Sequence, residues 1–327
     1  MKQSSKNRSK ISEVVGLAPL AGFTESAFRR LARELGADFT WTELTSANFV
    51  LAKGEIGLPQ FHIFEEERPL RFQLQGSETH LLVRAAERVL NLLKPEGLDL
   101  NAGCPARKVI KTGAGAALLT NLPLLAEIAR ELAAVAHTFG ADFSVKFRLG
   151  FAEDELEKIT ETLLRAGVDI LVLHPRTARE GFSGKARWER VRDLKNLVAE
   201  EARVYGSGDV KSLADIEKFF RETGANGVLI GRAALARPWI FAEWEGGQEM
   251  ELGPQERLGL LKRLADYLSF YRREEETLKI LKLWAGKFLK GLPGKRKLLP
   301  EALKARSLSQ FWQILHQLVL SADAKYK

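Results

Sequence analysis

From Val14 to Ile230 short apolar runs alternate with stretches whose apolar residues recur every three or four positions. The runs predict strands at Val14–Leu20, Phe39–Glu43, Leu70–Leu74, Gly97–Asn101, Phe143–Arg148, Ile170–His174, Arg203–Ser207 and Gly227–Ile230. The periodic stretches predict helices at Ser26–Leu35, Glu78–Leu93, Leu122–Thr138, Asp154–Ala166, Trp188–Glu200 and Ser212–Glu222. Residues 45–58 are less regular and read as a short helix plus loop. Apolar strands separated by amphipathic helices imply parallel βαβ units. Eight such strands between residues 14 and 230 imply a closed α/β barrel of the (β/α)8 TIM type. A doubly wound sheet is the alternative, but it concentrates function at one switch point. Here polar residues close nearly every strand: Glu43, Gln73, Asn101, Lys146 with Arg148, His174, Ser207 and Gly231–Arg232.

The pattern changes near Arg237. Clustered aromatics and two glycine breaks read as the barrel exit and a linker, Arg237–Gly253. From Gln255 the periodicity is helical again, with further runs at Thr277–Leu289 and Leu308–Leu320 around a break at Gly291–Gly294. This predicts a polar N-terminal tail (1–13), a barrel (14–245) and a bundle of three or four helices (246–327).

Charge sharpens that division. The chain has 327 residues and a net charge of +8. Residues 251–327 hold 16 Lys+Arg and 8 Asp+Glu, so residues 1–250 are neutral. Nine basic residues and one acid fall in 279–306. Such segregation favours a polyanionic partner. The single cysteine excludes an intrachain disulfide and suits a reducing cytoplasm. The polar N-terminus has no apolar core of a signal peptide, and no apolar run reaches about 18 residues. No membrane partner and a cytoplasmic location are expected.

The candidate chemistry gathers at the strand ends. Cys104 follows the fourth strand in NAGCP, with Arg107, Lys108 and Lys111 after it. No histidine stands near it in sequence to act as base, so proton donation fits better than nucleophilic attack. Lys146 and Arg148 alternate and therefore share the inner face of strand five, where buried cations need anionic partners. YGSGDV and GRAALARP place Gly206, Gly208, Gly231 and Arg232 after strands seven and eight, the usual phosphate site of this fold. No GxGxxG opens a helix after a strand, so no resident dinucleotide is indicated. The histidines are scattered, and no metal site is expected.

LAPLAGFTESAFRRL, FQLQG, DLNAGCPARKVIKTGAGAALL, SVKFRLGF, LVLHPRT, YGSGDV, GVLIGRAALARPWIF and FLKGLPG follow one another in the order of the tRNA-dihydrouridine synthase family. The resemblance runs from about Leu17 to Leu320. It implies an FMN enzyme that uses NADPH to reduce a uridine of the tRNA D-loop. Hydride would go from reduced FMN to C6 of an extruded uracil, and Cys104 would protonate C5. By the same match Pro19, Gln73, Lys146, His174, Ser207, Gly208, Gly231 and Arg232 would hold FMN. Asn101, Arg148 and Arg176 would contact the base. The basic C-terminal helices, through Lys287, Lys290, Lys295, Arg296 and Lys297, would bind tRNA. A monomer with no DNA partner is expected. Leu20, Pro175 and Ser207 depart from the family pattern, where methionine, glycine and asparagine are common; serine reaches less far than asparagine. The alternatives are a flavin barrel acting on a free pyrimidine or other small molecule, an rRNA uridine as substrate, and an RNA-binding protein with an inactive barrel.

Overall fold

The computed structural model describes residues 13–53, 58–293 and 295–326. The tail expected over 1–13 lies outside them except for Glu13. Eight parallel strands close the barrel: β1 (Val14–Leu17), β2 (Thr40–Trp41), β3 (Leu70–Gln75), β4 (Gly97–Ala102), β5 (Asp142–Arg148), β6 (Ile170–His174), β7 (Arg203–Ser207) and β8 (Gly227–Ile230). Each pairs with its successor, and β1 pairs with β8 through Val14↔Gly227 to Leu17↔Ile230. Thr45–Ser46 adds a two-residue ladder beside β3, and Ala47–Lys53 is helical. The expected helix and loop at 45–58 thus begin with a strand fragment, and residues 54–57 lie outside the description.

Period-two alternation sorts every strand. On β5, Phe143, Val145 and Phe147 point outward into the layer shared with the helices, whereas Ser144, Lys146 and Arg148 occupy the alternate, inner positions. On β4, Leu98, Leu100 and Ala102 point out, and Asp99 and Asn101 take the inner positions. The lower interior is filled by a separate apolar cluster that includes Phe39, Trp41, Ile170, Val172, Tyr205 and Leu229. Phe39 stacks on Tyr205 with centroids 5.4 Å apart and meets Trp41 edge-on at 5.0 Å. This aromatic floor closes the barrel below, so the interior opens only at the C-terminal ends of the strands.

The aromatic segment after Arg237 is not all linker. Ile240–Gly246 is a helix with Ile240 and Phe241 fully buried, and Trp244 packs against Phe220. Its aromatics are packing residues. Four helices follow: Pro254–Ser269, Glu274–Phe288, Lys295–Lys304 and Leu308–Tyr326. Lys295–Lys304 was hidden in the sequence because Pro300 interrupts its pattern. These helices do not stand apart. Trp284 lies 4.3 Å from the ring of Phe28, on the first barrel helix, and one apolar cluster spans both regions. Tyr271 donates to Glu25 and accepts from the Ala27 N–H, while Arg272 pairs with Glu25. No helix among the described residues is long and apolar enough to cross a membrane.

Gly16 on β1 is demanded by the floor. A Cβ there would lie 1.8 Å from the Phe39 ring, which Trp41 and Tyr205 hold in place. Gly16→Ala is expected to cost about 1–3 kcal/mol in urea unfolding. Adding Phe39→Leu should recover part of that loss; a double variant with strictly additive losses would show that the overlap is relieved elsewhere.

Candidate active site

A cleft of about 1140 Å³ opens at the C-terminal ends of the strands. Pro19, Gln73, Asn101, Cys104, Lys146, Arg148, His174, Arg176, Ser207, Gly208, Gly231 and Arg232 all line it, and Lys290 reaches it from the C-terminal helices. Residues drawn from every part of the chain thus meet in one place. Glu43 is the exception among the strand-end polar residues. It lines a smaller neighbouring cavity with Glu25 and Arg29, where burial and Glu25 raise its pKa.

Cys104 is held by both of its backbone polar groups. Its N–H donates to Asn101 Oδ1 at 2.9 Å, and its carbonyl accepts from the Ala116 N–H at 3.1 Å. Arg107, Lys108 and Lys111, its cationic neighbours in sequence, are exposed. The cations within electrostatic reach of Cys104 are Lys146 and Arg148, brought from the adjacent strand. The β4–β5 register sets Asn101 opposite Lys146, which sequence distance could not reveal.

Gln73, Asp99 and Asn101 form a buried chain of hydrogen bonds. Asn101 Nδ2 donates to Gln73 Oε1 at 2.9 Å, and Gln73 Nε2 donates to Asp99 Oδ2 at 2.7 Å. Gln73 is therefore a core amide paired at its oxygen and at one N–H. Asp99 carried no role in the sequence analysis. The signal was there: it sits one pleat below Asn101 on the same inner face of an apolar strand.

Arg148, expected with Lys146 to need an anionic partner, is satisfied by backbone carbonyls instead. Arg148 donates to the carbonyls of Gly103, Thr177 and Gly181 at 2.8–2.9 Å, stapling the Cys104 loop to the loop after β6. Its Nη2 takes part in none of these bonds. Arg176 donates to the Ser183 and Gly184 carbonyls and pairs with Asp209 at 2.5 Å. Asp209 also lies 3.5 Å from Arg232. Phe182, which the sequence did not single out, sits on the loop so held. It is 58% exposed at the cleft mouth, with the Arg232 guanidinium 4.5 Å above its ring. An exposed ring between cations is a stacking surface for a flat group.

Among the described residues, nine lysines and arginines line the cleft against four carboxylates. That field has titration consequences. Burial, then Arg148, lowers Lys146 to about 8. Burial, then Lys146, Arg148, Arg176 and Arg232, lowers His174 to about 2, so the ring is neutral. Arg176 Nη1 lies 3.4 Å from His174 Nε2, and arginine only donates, which leaves the imidazole proton on Nδ1. Nδ1 is buried and has no partner. A buried donor without an acceptor marks a place for a ligand. Gly208 adopts φ +109, and a Cβ there would press on the His174 ring at 3.0 Å. At Gly231 a Cβ would meet nothing closer than 3.6 Å, so protein packing leaves that space open. An electron-rich ring bearing a phosphate fits these residues.

The basic helices show mixed employment. Lys287 lies 4.4 Å from the ring of Phe23, on the loop after β1. Lys295 donates to the Gly286 carbonyl at 2.8 Å, and burial lowers its pKa. Arg296 and Lys297 are exposed.

Residues 16–318 match the family model for dihydrouridine synthase. Over 289 residues the chain is 42% identical to a probable tRNA-dihydrouridine synthase of Aquifex aeolicus, covering 88% of this chain and 90% of that protein. It is 34% identical to tRNA-dihydrouridine synthase B of Pseudomonas aeruginosa, covering 86% and 85%. Among solved structures, histamine dehydrogenase from Rhizobium sp. 4-9 superposes with a TM-score of 0.54 at 13% identity, over 72% of this chain and 46% of that one. 2-Naphthoyl-CoA reductase gives 0.54 at 11%, over 72% and 50%. At such identities these two likenesses concern the barrel fold alone.

The His174 assignment is open to direct measurement. Nitrogen NMR of the imidazole should show a neutral ring protonated on Nδ1 from pH 8 down to pH 4; an imidazolium signal at pH 5 contradicts it. The unfolded chain takes up this proton below about pH 6.5. Holding His174 neutral therefore subtracts stability progressively as pH falls from that value.

Proposed function

The chain belongs to the dihydrouridine synthase family, and from that premise we propose that it reduces the C5–C6 bond of a tRNA uridine, with FMN bound in the cleft and NADPH as reductant. The observation that carries this reading is the convergence of Cys104, Lys146 and His174 on one cation-rich cleft beside a basic helical surface. When bound, FMN supplies the hydride that adds at C6.

The chain's own residues do the rest. Gly208, Gly231 and Arg232 would cradle the phosphate, and Pro19 would contact the ring system. Gln73 offers its remaining N–H to the ring edge, and the His174 Nδ1–H meets an acceptor that the protein leaves vacant. Lys146 would offer a positive charge to the ring system. Its ammonium lies 3.4 Å from Ser207 Oγ, so Ser207 acts through Lys146 more than by its own reach.

Extrusion of the base from its stack brings C5 to the thiol. Asn101, Arg148 and Arg176 form the wall it meets, with Arg148 tied to the protein through Nε and Nη1, and Phe182 provides a face for stacking. Cys104 gives its proton to C5, and the thiolate left behind sits in the field of Lys146 and Arg148. The D-loop supplies the uridine. The helical region 246–327 acts as the tRNA-binding domain, with Lys287, Lys290, Arg296 and Lys297 meeting phosphates and Lys295 contributing less because its ammonium is engaged. This surface favours RNA over a small neutral pyrimidine. The protein works as a cytoplasmic monomer.

Purified protein should carry FMN or take it up, and NADPH should bleach its absorbance; failure to bind flavin on reconstitution overturns the enzyme reading. Cys104→Ala should keep the flavin and its reduction by NADPH but lose at least about 100-fold in dihydrouridine formation, within the usual range for a general acid. FMN affinity should fall as pH rises through about 8, where Lys146 loses its charge, and Lys146→Met should flatten that dependence. Removing residues 255–327 is a poor test of RNA binding, because it would strip apolar cover from the barrel helices. Lys287→Glu with Lys290→Glu and Lys297→Glu leaves that core intact. It should weaken tRNA binding and lower the slope of log affinity against log salt by about 2–3. An unchanged slope removes these residues from the interface.

A further inference from the structure

We propose that Asp99 is a positioning residue that sets the polarity of a hydrogen-bonded chain ending on the Cys104 loop. This deepens the function proposed above, because it concerns how the proton donor of that reaction is held. The links are Asp99 Oδ2 to Gln73 Nε2 at 2.7 Å, Gln73 Oε1 to Asn101 Nδ2 at 2.9 Å, and Asn101 Oδ1 to the Cys104 N–H at 2.9 Å. The Gly103 N–H adds a longer bond to the same Oδ1 at 3.3 Å.

Two of these links are primary amides, and a primary amide can turn either end toward a neighbour. The ends of the chain remove that freedom. A carboxylate only accepts, so Gln73 must present its NH2 to Asp99 and its oxygen to Asn101. A backbone N–H only donates, so Asn101 must present its oxygen to Cys104 and its NH2 to Gln73. Both ends demand the same direction along the chain. Asp99 and Gln73 are fully buried and Asn101 nearly so, which keeps water from substituting for a broken link. Ser144 Oγ donates to Asp99 Oδ1 at 2.5 Å. Burial raises the Asp99 pKa to about 6, against the bonds from Ser144 and Gln73 and the charge of Lys146, so the group is a carboxylate at neutral pH.

Packing alone does not call for a carboxylate here. Asp99 sits on the inner face of β4, level with Gln73 and Ser144 in register, and an apolar side chain could fill the same space. Burying an aspartate costs free energy unless its oxygens are used. Both are used, and one leads through two amides to the thiol loop.

The test compares two substitutions in the full-length protein by amide hydrogen exchange, without RNA or nicotinamide. Asp99→Asn keeps the polarity: its oxygen faces Gln73, its NH2 faces Ser144, and the serine hydroxyl turns to the Leu98 carbonyl 3.3 Å away. Asp99→Leu removes the acceptor, leaving Gln73 Nε2 unpaired and the chain held only from its Cys104 end. In Asp99→Leu the Cys104 amide should exchange about tenfold faster, as expected for loss of one buried hydrogen bond. In Asp99→Asn it should stay within about twofold of the unsubstituted protein. The Val145 and Leu171 amides should not change in either. Unchanged protection in Asp99→Leu overturns the proposal. So does equal loss in Asp99→Asn, which would make the charge, not the chain, the cause. If Asp99→Leu loosens β5 as well, Gln73→Met cuts the same chain one link nearer the loop and decides in the same way. A protein that forms no dihydrouridine would overturn the functional proposal and leave this measurement intact.

Discussion

A polar side chain facing into a closed barrel has no solvent beneath it and must find partners on neighbouring strands or at the mouth. In this protein the constraint is enforced by the floor of Phe39, Trp41 and Tyr205, which keeps water from entering below. Most inward polar groups above the floor are accordingly answered. Asp99 receives Gln73 and Ser144. Arg148 takes three carbonyls, and Arg176 takes two carbonyls and Asp209. The loops after β4 and β6 owe their shape to these side chains as much as to their own turns.

That thorough pairing gives meaning to what is left over. His174 Nδ1 is a buried donor without an acceptor, and Gly231 leaves space that no side chain fills. The positive charge around them has the same character. Asp209 is shared by Arg176 and Arg232 and cannot neutralise both, so the cleft keeps an excess of cations. Charge held in a partly desolvated site is worth more to an anionic ligand than the same charge on an open surface.

The C-terminal helices take part in this arrangement through the core and not through a hinge. Trp284 against Phe28, and the Glu25–Tyr271–Arg272 contacts, hold their basic face in a fixed relation to the cleft. Lys290 lines the cleft and Lys287 covers Phe23 on the first barrel loop.

The sequence by itself determined the barrel, because period-two strands and period-3.6 helices are local properties of side-chain direction. The bounds of β6, β7 and β8 can be read from it to the residue. It also determined which residues stand at the strand ends, and twelve of them line one cleft. It failed where packing overrides pattern: the aromatics of Ile240–Gly246 imitate a linker, and Pro300 conceals a helix. What only the tertiary structure decided is which groups meet. Arg107, Lys108 and Lys111 adjoin Cys104 in sequence and face solvent, while Lys146 and Arg148 lie 42 and 44 positions away and line the same cleft as Cys104. Strand register brings them there, and register depends on the closure of the whole ladder. For the same reason Asp99 looked like one more residue in an apolar strand until Gln73 was placed opposite it.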